Sequence, residues 1–145
     1  MRPYIATIAA AAALLAGFSV VGAGGTAAAA AVGWCDGVKW VQHNSLYGTK
    51  QPYHKATGST TCYLERGSYG SAVNALQLAL KYCNWAPNLV ADSDFGAITE
   101  ERLKYAQQRR GVLADGSYGP NTRAALKWPV FHNNGLRTDT CVFVS

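Results

Sequence analysis

The sequence predicts a mainly α fold: three helices in a bundle of pseudo-repeats, a small β element from the two termini, and two disulfides. Three observations predict it. Apolar residues recur at three- and four-residue steps after Ser71, an aromatic–Gly turn precedes each expected helix, and four cysteines lie in a chain that reads as exported.

Export comes from the first 31 residues. Met1–Arg2 carry one positive charge, Ile5 to Val21 is an uncharged Ala/Leu/Ile/Val run, and Gly22 to Ala31 is rich in small residues with A-x-A sites. That is the layout of a cleavable secretory signal peptide over 1–31; an uncleaved membrane anchor is the alternative. Without Arg2 the 13 basic residues become 12 against 8 acidic, a mixed-sign surplus with no basic block. Such a surplus points away from nucleic acid as a partner. All four Trp and seven of the eight Tyr remain, enough for one small ordered domain. The cysteines Cys35, Cys62, Cys83 and Cys141 include no CxxC spacing. In an oxidising compartment they read as two disulfides rather than a zinc site. Three pairings are open; we favour Cys35–Cys141 joining terminal strands and Cys62–Cys83 clamping the start of the helical region.

Residues 32–61 are rich in Gly, Ser, Thr and aromatics and read as an N-terminal arm, with a short strand at Gly37–Gln42. Ala72, Val73, Leu76, Ala79, Leu80 and Cys83 then line one face of a helix over Ser71–Cys83. A second helix is expected over Ala97–Arg110, stopped by Gly111. A third begins at Pro120, a good first-turn residue, and ends before Pro129. Residues 129–145 form a tail in which Thr140–Val144 reads as a strand able to pair with the one near Trp40.

The strongest pattern is a repeat. Asp92–Leu103 aligns without gaps on Asp115–Leu126 at a period of 23, matching Asp, Gly, Thr and Leu and pairing Phe95 with Tyr118. Tyr69–Gly70 begins a fainter earlier copy. In each full copy the Asp suits turn amides, the aromatic enters the core, the Gly allows a sharp turn, and Thr99 or Thr122 meets the first helical turn.

Arg66-Gly67-Ser68, Val73-x-x-Leu76-Gln77-x-x-Leu80, Asp92-x-x-Phe95-Gly96-x-x-Thr99 and Gly111 through Thr122 together resemble the peptidoglycan-binding domain of secreted bacterial cell-wall proteins. The resemblance covers about 62–128. Ser93 departs from the family's Gly, and Ala106-Gln107 from its Phe-Gln. The resemblance implies a shallow groove beside the second and third helices. Gln107, Tyr118, Asn121 and Arg123 are the residues expected to bind the ligand.

No catalytic site is expected. His43, His54 and His132 lack metal spacing, and no G-x-S-x-G is present. Glu100 and Glu101 are neighbours on a helix and diverge, while the repeat explains Asp92 and Asp115 as turn formers. Trp34, Trp40, Tyr47 and Tyr53 could stack on sugar rings, but in so small a domain core filling is the plainer reading. Arg102, Lys104, Arg109, Arg110 and Arg123 are either a solvated face or a surface for carboxylates and anionic wall polymers. The expected function is therefore non-catalytic binding of peptidoglycan by a secreted, extracellular or wall-associated monomer. It needs no cofactor or metal, and no membrane contact once the leader is cleaved. The alternative is a secreted protein–protein module or inhibitor on the same scaffold.

Overall fold

A computed structural model describes residues 32–144. The expected signal peptide, 1–31, lies outside the described residues. Among those described, no helix is long and apolar enough to cross a membrane. Seven elements follow in order: β1 (Gly37–Gln42), β2 (Tyr47–Tyr53), α1 (Ser71–Cys83), α2 (Ala97–Arg110), α3 (Pro120–Ala125), β3 (Trp128–His132) and β4 (Arg137–Val142). The helices begin where the repeat places them. Gly111 closes α2 in the left-handed region at φ 71°, where a residue without Cβ has least strain.

The expectation of a mainly α bundle is overturned. The four strands form one antiparallel sheet in the order β1-β2-β3-β4, and helix and strand are nearly equal at 29% and 28%. β1 stands where the sequence puts it, but its partner is β2. β4 begins earlier than expected and pairs with β3. The strands nearest the two termini therefore occupy opposite edges and do not pair.

The unexpected strands explain the error. β2 reads Tyr-Gly-Thr-Lys-Gln-Pro-Tyr, and its buried positions are Gly48, Thr49, Gln51 and Pro52. No apolar alternation marks it, so its burial comes from neighbours. β1 pairs along its full length, whereas β3 covers only Tyr47 to Thr49. Pro52 lies beyond the β3 pairing, where its missing N–H breaks no ladder bond on that side. Gly48 lies against the Trp40 indole, and a Cβ there would fall 2.5 Å from the ring. β3 carries Pro129 near its start, a tolerated place for proline in a strand, and that proline reads in sequence as a helix stop.

α1 packs across β1, β2 and β3 and also meets α2. Its buried face runs Ala72, Val73, Ala75, Leu76, Gln77, Ala79 and Leu80. Leu64, Phe95, Leu103, Tyr118, Leu126 and Trp128 complete the same core. Each fully buried large apolar side chain stabilises by roughly 1.5–3 kcal/mol. Trp128 is the largest; its indole N–H donates to the Arg123 carbonyl at 3.1 Å. Asn84, also buried, joins α1 and α2 to the link before β3. Its amide donates to the Ala79 and Lys127 carbonyls at 2.7 and 2.8 Å, and its Oδ1 accepts from Arg110 at 2.9 Å.

The disulfides pair Cys35 with Cys62 and Cys83 with Cys141, which corrects the favoured pairing. Three inter-strand steps separate the sheet edges, roughly 14 Å, while a disulfide needs Cα atoms within about 7 Å. Cys35 instead lies beside Cys62 because residues 33–35 run parallel to Tyr63, with backbone bonds of 2.9 and 3.0 Å. β4, on the far edge, brings Cys141 to the end of α1.

Candidate functional site

Two buried glutamines organise the turns of the repeat. Gln77 on α1 donates through Nε2 to Asp92 Oδ1, the Asp94 carbonyl and Thr99 Oγ1 at 2.8, 2.9 and 3.0 Å. Its Oε1 accepts the Ser93 N–H at 2.9 Å. Gln107 on α2 makes the same set with Asp115 Oδ1, the Ser117 carbonyl and Thr122 Oγ1 at 2.9, 2.9 and 3.0 Å, and accepts the Gly116 N–H at 2.9 Å. One amide thus holds the Asp, the turn and the Thr together in each copy. Ser93 and Gly116 occupy matching left-handed positions at φ 69° and 78°, so the serine that departs from the family adopts the backbone a glycine would.

The turn before α3 borders a cleft of about 450 Å³. Val112, Leu113 and Pro120 give it apolar walls, Asp115 and Asn121 give polar ones, and the Tyr63 ring closes a side. Gly119 lets that ring approach closely: a Cβ there would fall 2.7 Å from it. Leu113 is 79% exposed at the edge of the cleft. The clamp engages only Oδ1 of Asp115.

The four residues expected to bind ligand separate. Asn121 lines the cleft and is exposed. Gln107 has no exposed surface and is consumed by the clamp. Arg123 turns toward the sheet, donating through Nε to Gln51 Oε1 at 2.7 Å. Tyr118 is fully buried, edge-on to Trp128 with ring centroids 6.1 Å apart, so its hydroxyl does not reach a groove. Tertiary packing draws three of the four inward or away. Sequence reading missed Tyr63, Leu113 and the roles of the two glutamines. The only signal was the placement of each Gln on the apolar face of its helix.

The Tyr118 hydroxyl has no hydrogen-bond partner among the described residues. Its counterpart in the previous repeat is Phe95. Leaving a buried donor unpaired costs about 1–3 kcal/mol, so Tyr118→Phe is expected to stabilise by about 1 kcal/mol in urea unfolding. Burial holds the phenol far above its ordinary 10.0. A folded-state value raised in this way gives stability that is complete below pH 10 and lost as pH rises beyond it. The Phe variant should therefore lose less stability than wild type between pH 9 and 11. Equal alkaline losses would mean that the hydroxyl is solvated.

Electrostatics differ between the two ends of the helices. At the start of α2, Glu100 accepts from Arg66 and Lys104, both at 2.5 Å. The Lys104 hydrogen bond, with Arg66 behind it, holds its carboxyl below the usual range. The Asp94 backbone N–H and then the Gln77 amide do the same for Asp92. At the far end an aromatic–cation patch forms. Arg110 lies 4.5 Å from the Trp85 ring and 5.2 Å from Phe143, and Arg109 is 5.0 Å from Trp85. Trp85 itself sits at φ 60°, a strained conformation for a bulky side chain.

The remaining candidates are dispersed. His43 contacts Thr49, His54 contacts Thr57, and His132 packs on Tyr47. Among the described residues no three His, Cys, Asp or Glu side chains gather as metal ligands. Trp34, Trp40, Tyr47 and Tyr53 belong to the sheet region and do not line the cleft.

Fold and cleft define a disulfide-stapled α+β domain in which a repeated turn-and-helix unit carries a surface site. Residues 69–126 match the family model described as "Putative peptidoglycan binding domain". All four strands lie outside it. Over 73 residues, 50% of this chain, the sequence is 36% identical to the N-acetylmuramoyl-L-alanine amidase CwlL of Bacillus licheniformis. It is 34% identical over the same length to a "Probable N-acetylmuramoyl-L-alanine amidase" from that organism. The matched stretches are 20% and 21% of those proteins, so the chain spans about a fifth of the length of these relatives. No solved structure matches the chain.

Proposed function

We propose that this protein is exported, binds peptidoglycan without cleaving it, and does so through the cleft before α3. The observation that supports the reading is coincidence: the family match at 69–126 holds every lining residue of the cleft except Tyr63, including its exposed leucine and the carboxylate oxygen that the clamp leaves open. Residues 32–61 and 129–145 act as a stapled sheet supporting the helical segment, not as separate modules.

The test is sedimentation of the oxidised protein with purified insoluble peptidoglycan across a salt series. Wild type is expected to sediment at moderate salt. Leu113→Asp, a change at an exposed position, should cut binding at least tenfold while the urea midpoint stays put. Unchanged binding would remove the cleft from the reading, and a cleared band on a cell-wall zymogram would remove the non-catalytic part. A second reading, a secreted module that holds an acidic protein, is favoured by the Trp85–Arg109–Arg110–Phe143 patch. Trp85→Ala is expected to leave sedimentation unchanged; a loss there would move the binding surface to this patch.

A further inference from the structure

The cleft before α3 has a twin. A second cleft, of about 420 Å³, is lined within residues 88–99, ahead of α2. Subtracting the repeat period of 23 from each lining residue of the first cleft between 112 and 122 yields a lining residue of the second. Leu113 maps to Val90, Asp115 to Asp92 and Asn121 to Ile98. The exposed apolar residues recur with the shape: Val90 is 68% exposed and Ile98 66%, beside Leu113 at 79%. All three stand outside the core and are grouped at the two clefts.

The two clefts hang from one segment. Leu64 exchanges both backbone hydrogen bonds with Tyr118, at 3.0 and 2.8 Å, and Ser68 accepts the Phe95 N–H at 2.9 Å. Four residues of chain reach at most about 14 Å. With one strand-pair spacing of about 5.5 Å at each end, Tyr118 and Phe95 lie within roughly 25 Å of each other. Both clefts can therefore meet one extended polymer.

We propose that the chain carries two subsites that engage two successive peptide stems of peptidoglycan; this rests on the peptidoglycan reading above. Each subsite offers an apolar lip for an alanyl methyl group, and a carboxylate whose Oδ1 is taken by the glutamine clamp and whose Oδ2 faces no clamp donor. A stem peptide supplies methyl groups and N–H donors at a repeating interval, which matches a binding surface that itself repeats. The subsites are not identical. Tyr63 walls only the first, and Asp94 stands in the second where the first has Ser117, so the second is the more acidic. Joining two weak sites can raise affinity for a polymer by roughly 10²–10⁴ without any new contact.

The experiment compares wild type, Val90→Asp, Leu113→Asp and the double variant, all oxidised and matched by circular dichroism and urea midpoint. Each is sedimented with insoluble peptidoglycan. Wild type is also titrated with a soluble monomeric disaccharide-peptide fragment. Each single variant is expected to lose at least tenfold on the polymer and the double variant all measurable binding, with two fragments bound per wild-type chain. If Val90→Asp binds the polymer as wild type does while Leu113→Asp fails, or if one fragment binds per chain, the second subsite is overturned and the single-cleft function stands. If wild type itself does not sediment, both fail together.

Discussion

Replacing Cys83 and Cys141 together by alanine is expected to lower folding stability by about 4 kcal/mol. The bond closes a separation of 58 residues, and the entropy that such a closure removes from the unfolded chain grows with the logarithm of loop length. For a small domain this is a large share of the 5–15 kcal/mol that folded proteins hold in reserve. Both residues are only partly buried, so the pair of substitutions leaves little cavity and the change reports chiefly on chain entropy. The loss also has a location. Cys141 ties the outer strand β4 to the end of α1, so the edge strand and the Arg110–Phe143 contact should loosen first. Equilibrium urea unfolding measures the total, and hydrogen exchange across 137–142 measures where it falls. A loss under 1 kcal/mol would mean that the sheet edge is held without the bond. A digest of the oxidised protein linking Cys35 to Cys141 would overturn the strand order itself.

Gln107→Leu is expected to cost about 3 kcal/mol, although the new side chain is apolar and enters a buried site. The amide serves four groups, and two of them belong to buried residues: the Gly116 N–H, which loses its partner, and the Thr122 hydroxyl, which keeps only a 3.3 Å bond to the Ser117 carbonyl. Each buried polar group left unpaired costs about 1–3 kcal/mol. Asp115 and Ser117 are exposed or half-buried and can turn to water, so they add less. The turn before α3 should also lose its fixed shape, and peptidoglycan sedimentation should weaken beyond what the fall in folded fraction explains. Gln77→Leu should act equally on the turn before α2. If Gln107→Leu proves as stable as wild type, the clamp is incidental and the cleft walls are held by apolar packing alone.

Legibility in the sequence followed the physics of each element. α1 was readable because its buried residues recur at helical spacing on one face. α2 carries little periodic apolar signal, but its ends are marked by the Phe95–Gly96 turn and by Gly111. β2 left no mark. Its inward positions are Gly, Thr, Gln and Pro, and they are buried because β1, β3 and α1 surround them, a fact about neighbours and not about composition. The candidate site divided in the same way. Asn121 follows directly from its place in the first turn of α3, whereas Tyr118 and Gln107 look identical in sequence whether they face solvent or core. Tyr63 lies outside the repeat and reaches the cleft only because Leu64 pairs with Tyr118.

What the amino-acid order determined by itself was local and repetitive: two copies of an Asp–aromatic–Gly–Thr turn at a period of 23, the three helix starts, the helix stop at Gly111, and four cysteines available to pair. These depend on dihedral preference, capping and periodicity, which act over a few residues. What tertiary structure alone decided was which cysteines meet, which edge each terminal strand occupies, and which polar side chains are spent inside the molecule. Those outcomes depend on distances between segments tens of residues apart. In this protein they are set by α1 lying across a sheet whose strands come from both flanks of the repeat.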